Sequence, residues 1–295
     1  MILKRFIKKH LSDKVYKLFK CYRRIISTKL AIASIKSAVA EQGLLELYHR
    51  LITVVPDMTH QYSNFKIDNE YLFTKVKAQH SFQISLTNRA IELIKNKGDK
   101  NELKIVDIGD SSGTHLRYIK GLWPKKRIHT VSINSDRSAI ERIKQKGLES
   151  IHCKAEDIKA YSTNGDIFLS FEMLEHLMNP FQFLHNLSKN AKCRFFVVTV
   201  PYVRHSRLGL HHIRNNDKSG LNAENTHMLE LSPDNWRLLF RFSGWQVNYD
   251  TIYLQYPRRH PLNIMKFCWN KFDFEGFYGA ILTRNHSWCD LYNDW

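Results

Sequence analysis

The stretch LKIVDIGDSSGTHLRYI, residues 103–119, restricts the fold more than any other part of the chain. Leu103, Ile105, Val106 and Ile108 make an apolar run the length of one buried strand, Gly109 to Gly113 makes a tight turn, and Thr114 to Ile119 begins a helix. A strand that turns sharply into a helix is a ligand-binding device of α/β proteins. Glycines let the backbone approach the ligand, and the free N–H groups at the helix start favour negative groups. A ligand is therefore expected at this turn.

The flanking segments alternate in the same way. Leu86 to Lys95 reads as an amphipathic helix stopped by Gly98, IHTVSIN (128–134) as a second strand, Arg137 to Lys146 as a helix, and SIHCKAEDI (150–158) as a third strand with its turn. DIFLSF (166–171) and RFFVVTVP (194–201) are the fourth and fifth strands, with a helix over Pro180 to Lys189 between them. A helix over Pro233 to Phe242 precedes two more strands, 245–254 and 277–284. Connections this short predict a doubly wound α/β sheet of seven strands, mostly parallel, with the last strand antiparallel.

Charge is concentrated rather than spread. The formal net charge is +17, and residues 1–30 hold ten Lys and Arg against the single acid Asp13. Leu3, Ile7, Leu11, Val15, Leu18, Tyr22 and Ile25 recur every three or four residues, so they share one helical face with most of the bases opposite. Such a helix lies on an anionic membrane, through residues 1–28 here, or packs its apolar stripe on the rest of the protein. Nucleic acid ranks last, because Phe6, Tyr16, Phe19 and Tyr22 sit in no RNA-binding motif. Helical patterning continues through Leu30 to Val39 and Leu44 to Val55, and residues 57–75 read as a connecting loop.

Five cysteines, Cys21, Cys153, Cys193, Cys268 and Cys289, are widely spaced and form no CxxC pair, which excludes a disulfide framework and fits a reducing compartment. No apolar run reaches the roughly 18–20 residues of a membrane span, and the start lacks the apolar core of a signal peptide. The expectation is a cytoplasmic protein, peripheral to the inner face of the membrane if the basic helix docks there.

IVDIGDSSG, then SIN, AEDI, FEMLEHL and VTVP, in that order, resemble the class I S-adenosylmethionine-dependent methyltransferases over about residues 80–255. FEMLEHLMNPFQFLHNLSK and the later THMLELSPDNWRLLFRFSGW are similar to the EVLEHL-containing subgroup, which includes many O-methyltransferases of small molecules, quinones and sugars. The resemblance implies a Rossmann-like fold, S-adenosyl-L-methionine as cofactor, and a methyl acceptor whose identity the sequence does not give. It implies that Asp107, Gly109, Asp110, Ser111 and Gly113 hold the cofactor's methionine and ribose portion, Asp107 taking the ammonium directly or through water. Ser111 stands where the pattern usually has its middle glycine. Asn134 ends the second strand where an acid usually holds the ribose hydroxyls, with Asp136 as the alternative. Glu156 and Asp157 fall against the adenine amino group, although Asp157 also reads as a capping acid in a surface turn. Phe171, Glu172 and Met173 line the methyl side. A dinucleotide site is the competing reading of the opening turn, but G-D-S-S-G lacks the G-x-G-x-x-G spacing.

Methyl transfer from a sulfonium is an in-line displacement, so the protein has to align the acceptor and, for a hydroxyl, help remove its proton. A histidine of near-neutral pKa suits that task, and His176 is the first candidate for a base or an orienting residue, with helix packing as its other role. His211, His212 and His227 follow the fifth strand at the edge where doubly wound sheets bind ligands; each faces the acceptor or is a loop histidine without chemistry. No metal site is expected, because the adjacent His211 and His212 point apart and no second ligand pair at helical spacing accompanies them.

YPRRHPLNIMKFCWNKFDF (256–274) is too long for a hairpin turn. Its arginines and aromatics form a flap over an anionic or sugar-like acceptor, or a surface that docks on the N-terminal helix. The expected organisation is a basic helical extension over 1–75, a cofactor-binding core over 76–255, and the insertion, last strand and tail over 256–295. The expected activity is O-methylation of a small, lipid-linked or glycan acceptor near the membrane. Two alternatives stand beside it: a catalytically degenerate binding module, because Ser111 and Asn134 replace two usual contacts, and an RNA methyltransferase, favoured by the charge.

Overall fold

The computed structural model describes residues 13–63, 65–95, 102–157, 164–209, 226–272 and 274–292. Helices α1 (Asp13–Glu41), α2 (Leu45–Val54) and α3 (Glu70–Lys95) precede the sheet. There follow β1 (Glu102–Ile108), α4 (Thr114–Leu122), β2 (Arg127–Asn134), α5 (Arg137–Gln145), β3 (Glu149–His152) and β4 (Ile167–Phe171). The second half holds α6 (Pro180–Asn190), β5 (Phe195–Tyr202), the short β6 (Arg207–Leu208) and β7 (Leu229–Glu230), then α7 (Pro233–Phe242) and β8 (Trp245–Leu254). Helix α8 (Lys266–Phe272) and β9 (Gly276–Arg284) close the fold.

The main sheet has seven strands in the order β3-β2-β1-β4-β5-β9-β8. Strands β1 to β5 pair in parallel, and β9 is antiparallel to both β5 and β8, so β9 alone runs against the other six. This is the doubly wound, Rossmann-like architecture expected from the strand spacing, with the antiparallel last strand. Strand order reverses between β1 and β4, which is where such sheets open a crevice at their carboxyl ends.

Side-chain alternation explains the layers. Ile105 of β1, Leu169 of β4, Val197 of β5 and Ile281 of β9 enter one core with Ile35, Leu51, Phe82 and Tyr118 from α1, α2, α3 and α4. Val106, Phe168, Val198 and Ala280, each one position away, enter the opposite core with Phe183, Leu187, Trp236 and Phe240 from α6 and α7. Strands covered on both faces read as continuous apolar runs, and each large side chain so buried contributes about 1.5–3 kcal/mol.

The N-terminal helices share the first core rather than standing apart from the sheet. Gln42, just after α1, donates to the Leu254 carbonyl (2.8 Å) and accepts from the Leu254 N–H (2.9 Å), which ties α1 to β8. Glu41 accepts from the backbone N–H groups of Arg258 (2.8 Å) and Arg259 (3.0 Å). These hydrogen bonds hold the carboxyl of Glu41 below its usual pKa against a small opposing cost of burial. The 256–274 insertion thus docks on the N-terminal helices, and Met265 and Trp269 complete the first core. Toward its start α1 differs: Tyr22 is 66% exposed, and Ile25, Ile26 and Leu30 are exposed beside it. Residues 1–12, which carry four of the ten basic residues of the first thirty, lie outside the described residues.

One boundary differs from the sequence expectation, and the third strand with its turn falls where expected. Helix α3 begins at Glu70, inside the stretch read as a loop, because Asn69 caps it: its side chain accepts from Leu72 N–H (3.0 Å) and its carbonyl from Phe73 N–H (3.0 Å). The third strand ends at His152, and the Asp157 N–H turns back to the Lys154 carbonyl (3.1 Å). Among the described residues no helix is long and apolar enough to cross a membrane.

Candidate active site

The turn after β1 is built from glycine conformations and fixed from outside. Gly109 has φ +90° and Gly113 φ +75°, values L side chains rarely adopt. A Cβ on Gly109 would lie 2.9 Å from Met173 Cγ, so the loop after β4 closes directly on it. Asp110 accepts from the N–H groups of Ser112 (3.3 Å) and Gly113 (2.9 Å), an Asx turn that shapes the loop. Burial, with Asp107 nearby, raises the Asp110 carboxyl to about 6. Arg142 of α5 donates to the Ser111 carbonyl (3.0 Å), Lys146 to that of Ser112 (2.6 Å), and Ser112 Oγ to Gln61 (3.0 Å).

A cleft of about 930 Å³ opens at the carboxyl ends of β1, β2, β4 and β5. That volume suits a ligand of cofactor size. Of the residues singled out from sequence, Gly109, Ser111, Asn134, Glu156, Glu172, Met173 and His176 line it together, as do Asp136 and His227. Asp107, Asp110, Gly113, Asp157 and Phe171 are not in its lining. His211 and His212 lie outside the described residues.

Asp107 sits behind the loop and is almost fully buried, paired with His115 Nδ1 of α4 at 3.0 Å. Burial opposes a charge on His115, but the hydrogen bond and charge of Asp107, with Asp110 and Glu172 nearby, raise its pKa above the usual imidazole value. His115 packs edge-on against Phe171, 4.9 Å between ring centroids, so this pair braces the end of β4. Asn134 is likewise engaged by the backbone: it donates to the Asp110 carbonyl (3.0 Å) and accepts from Asp136 N–H (2.7 Å). Asp136 caps α5 through Ser138 N–H (2.8 Å) and accepts from Ser63 Oγ (2.5 Å). At this end Tyr62 and Phe65 stack at 4.5 Å and face the cleft.

At the far end two glutamates and two histidines converge. Glu172 has φ +50°, the only positive φ at a non-glycine position among the described residues, and its carboxyl is raised to about 8 by burial. Glu175 is 1% exposed, and neither carboxylate oxygen has a hydrogen-bond partner among the described residues. Burial, then the charge of Glu172, pushes its pKa well above the usual carboxylate range. His176 donates from Nδ1 to the Thr226 carbonyl (2.9 Å) and His227 from Nδ1 to Glu230 (3.0 Å), so Nε2 is the free lone pair on each ring. The two rings meet edge-on at 4.6 Å. Burial first, and then His227, lowers His176 to about 4. It is neutral at neutral pH and a weaker proton acceptor than the sequence expectation supposed.

Sequence reasoning missed Glu175, His115, Tyr62, Phe65 and the α3 residues Lys75 and Gln79, which also line the cleft or brace it. Glu175 stands in the FEMLEHL motif and was legible as an acid three residues after Glu172. The pairing of His115 with Asp107 joins a strand end to a helix across the loop and leaves no periodic signal.

No family model matches the chain, and no curated protein matches it in sequence. A solved structure shares its fold, and others align with lower scores. The 4+2 cyclase SpnF aligns with a TM-score of 0.51 at 11% identity, over 85% of this chain and 97% of its own. The N-terminal domain of EvdMO1 with SAH bound gives a TM-score of 0.45 at 11% identity, over 81% and 96%. The 1,6-didemethyltoxoflavin-N1-methyltransferase of Burkholderia thailandensis, with 1,6-didemethyltoxoflavin and S-adenosylhomocysteine bound, gives 0.46 at 10%, over 69% and 79%. Likeness at this identity establishes the fold and leaves the chemistry to the site.

Proposed function

We propose that the chain is an S-adenosylmethionine-dependent methyltransferase that acts on an oxygen of a small or lipid-linked acceptor. One observation carries this reading. The glycine turn after β1, the Asn134 end of β2, Glu156 and the Glu172–His176 segment, which are spread over some 70 residues of sequence, line one continuous cleft at the switch point of the sheet.

In this reading the adenosine lies between Tyr62 and Phe65 on one side and Asn134 to Ala139 with Cys153 to Glu156 on the other. The amino-acid portion follows Gly109 and Ser111, and the methyl end faces Glu172, Met173 and His176. When bound, the cofactor supplies an electrophilic methyl on a positively charged sulfur. The residues around it align the acceptor, keep water out and place carboxylates near that charge. His176 Nε2, neutral and fixed by Thr226, accepts a hydrogen bond from an acceptor hydroxyl and orients it. The exposed apolar start of α1 and the basic residues before it support an acceptor at an anionic membrane surface.

A second reading, a binding module without transfer activity, rests on Asn134, whose amide is already committed to Asp110 and Asp136. Calorimetry with S-adenosylhomocysteine separates the two. The native chain is expected to bind it one to one, and Gly109→Val, which forces a branched side chain onto Met173 at a left-handed φ, is expected to weaken binding at least tenfold. Absence of binding by the native chain overturns the cofactor reading.

A further inference from the structure

We propose that Glu175, His176 and His227 bind a divalent cation at the methyl end of the cleft, with Glu172 beside them. One ligand atom from each of the three residues lies within 4.8 Å of the other two, and all three residues line the cleft.

Three independent features point to a cation. Glu175 is buried with both oxygens unpartnered among the described residues, and Glu172 Oε1 is unpartnered as well. A buried carboxylate left without hydrogen bonds is costly, and a cation removes the cost for both. Next, each histidine has its Nδ1–H held by an oxygen, Thr226 carbonyl for one and the Glu230 carboxylate for the other. That second layer fixes the tautomer with Nε2 as acceptor and strengthens it as a metal ligand. Glu230 is in turn ion-paired with Arg207, so the layer behind His227 is itself anchored. Finally, the ligands lie on two segments fixed to each other, since Met228 N–H donates to the Glu175 carbonyl (2.7 Å).

The buried group Asp107, Asp110 and His115 also brings three ligand types together, but it lies outside the cleft lining, its carboxylates are engaged by His115 and by the Asx turn, and it carries no such inference.

Two imidazoles with one or two carboxylates favour Zn²⁺, Mn²⁺ or Fe²⁺ over Mg²⁺ and Ca²⁺. Three or four protein ligands leave coordination positions open toward the cleft. In the methyltransferase reading, on which this consequence rests, an acceptor oxygen takes such a position, and the preferred acceptors are hydroxyls, especially paired hydroxyls that chelate. With His176 Nε2 on the ion, the ion rather than that lone pair orients the acceptor hydroxyl and loosens its proton.

Zn²⁺ and Mn²⁺ titrations of the chelator-treated native chain, followed by calorimetry without cofactor, test the site. One ion per chain is expected, with Glu175→Gln and His227→Ala each weakening it at least tenfold. Circular dichroism reports whether each variant is folded, and His176→Gln serves if one is not. Failure of the native chain to bind either ion stoichiometrically, or unchanged affinity in the folded variants, overturns the proposal. Because S-adenosylhomocysteine is titrated separately, loss of the cation site and loss of the cofactor reading are distinct results.

Discussion

At the scale of single residues, the pair Asp107–His115 shows how much of the order of the glycine turn after β1 comes from behind it. Both side chains are buried, and the imidazole is held protonated above its usual pKa. A group whose pKa rises on folding stabilises the folded state fully below its unfolded pKa and loses that contribution as pH rises through the folded value. His115→Gln, which keeps a donor for Asp107 but no charge, is therefore expected to destabilise the protein by roughly 3 kcal/mol near pH 6. The difference from the native chain shrinks toward pH 9, and urea denaturation across that range measures it. The sequence displayed Asp107 because it closes an apolar strand, whereas the positions of His115 and His227 depend on how β1, α4 and the segment before β7 pack. Glu175, His176 and Glu172 were in one legible motif; that His227 joins them is a fact of tertiary structure.

Among the elements, α1 is joined to the sheet by very few polar groups, and Gln42 is the central one. Its amide satisfies both backbone groups of Leu254 at the end of β8 and also donates to the Ala38 carbonyl (2.9 Å). Gln42→Ala leaves those groups without that partner and is expected to cost about 1–3 kcal/mol, read as a lower urea midpoint with an unchanged slope. The strands were legible because runs such as IFLSF are buried throughout and need no alternation to be recognised. The start of α3 was less so, although Asp68, Asn69 and Glu70 carry a cap and a first-turn acid, because the loop before it masks the periodicity. The two-residue strands β6 and β7 are too short to leave any pattern at all.

On the scale of the whole molecule, charge and fold are separate systems. The cleft is built from the sheet and α3, while the densest positive charge precedes it in the chain. Deleting residues 1–28 is expected to release the protein from vesicles containing phosphatidylserine or phosphatidylglycerol and to leave S-adenosylhomocysteine affinity within about twofold. The deletion removes the exposed Tyr22, Ile25 and Ile26 and stops before Ile35 and Val39, which belong to the core. Cosedimentation checks it, and equal recovery of the full-length and truncated chains with the vesicles refutes the membrane assignment.

The small ladder of β6 and β7 has a consequence for variation. Arg207 faces Glu230 and Leu208 faces Leu229, while Gly209 N–H donates to the Met228 carbonyl (3.0 Å), so Arg207–Gly209 and Met228–Glu230 are held together as a clasp. The clasp sits beside His176 and His227, since Met228 N–H donates to the Glu175 carbonyl and the two imidazoles meet edge-on. Lengthening a loop closed in this way costs only about 0.6 kcal/mol per doubling. Insertions between the two sides of the clasp are therefore expected to leave the fold of the rest of the domain intact.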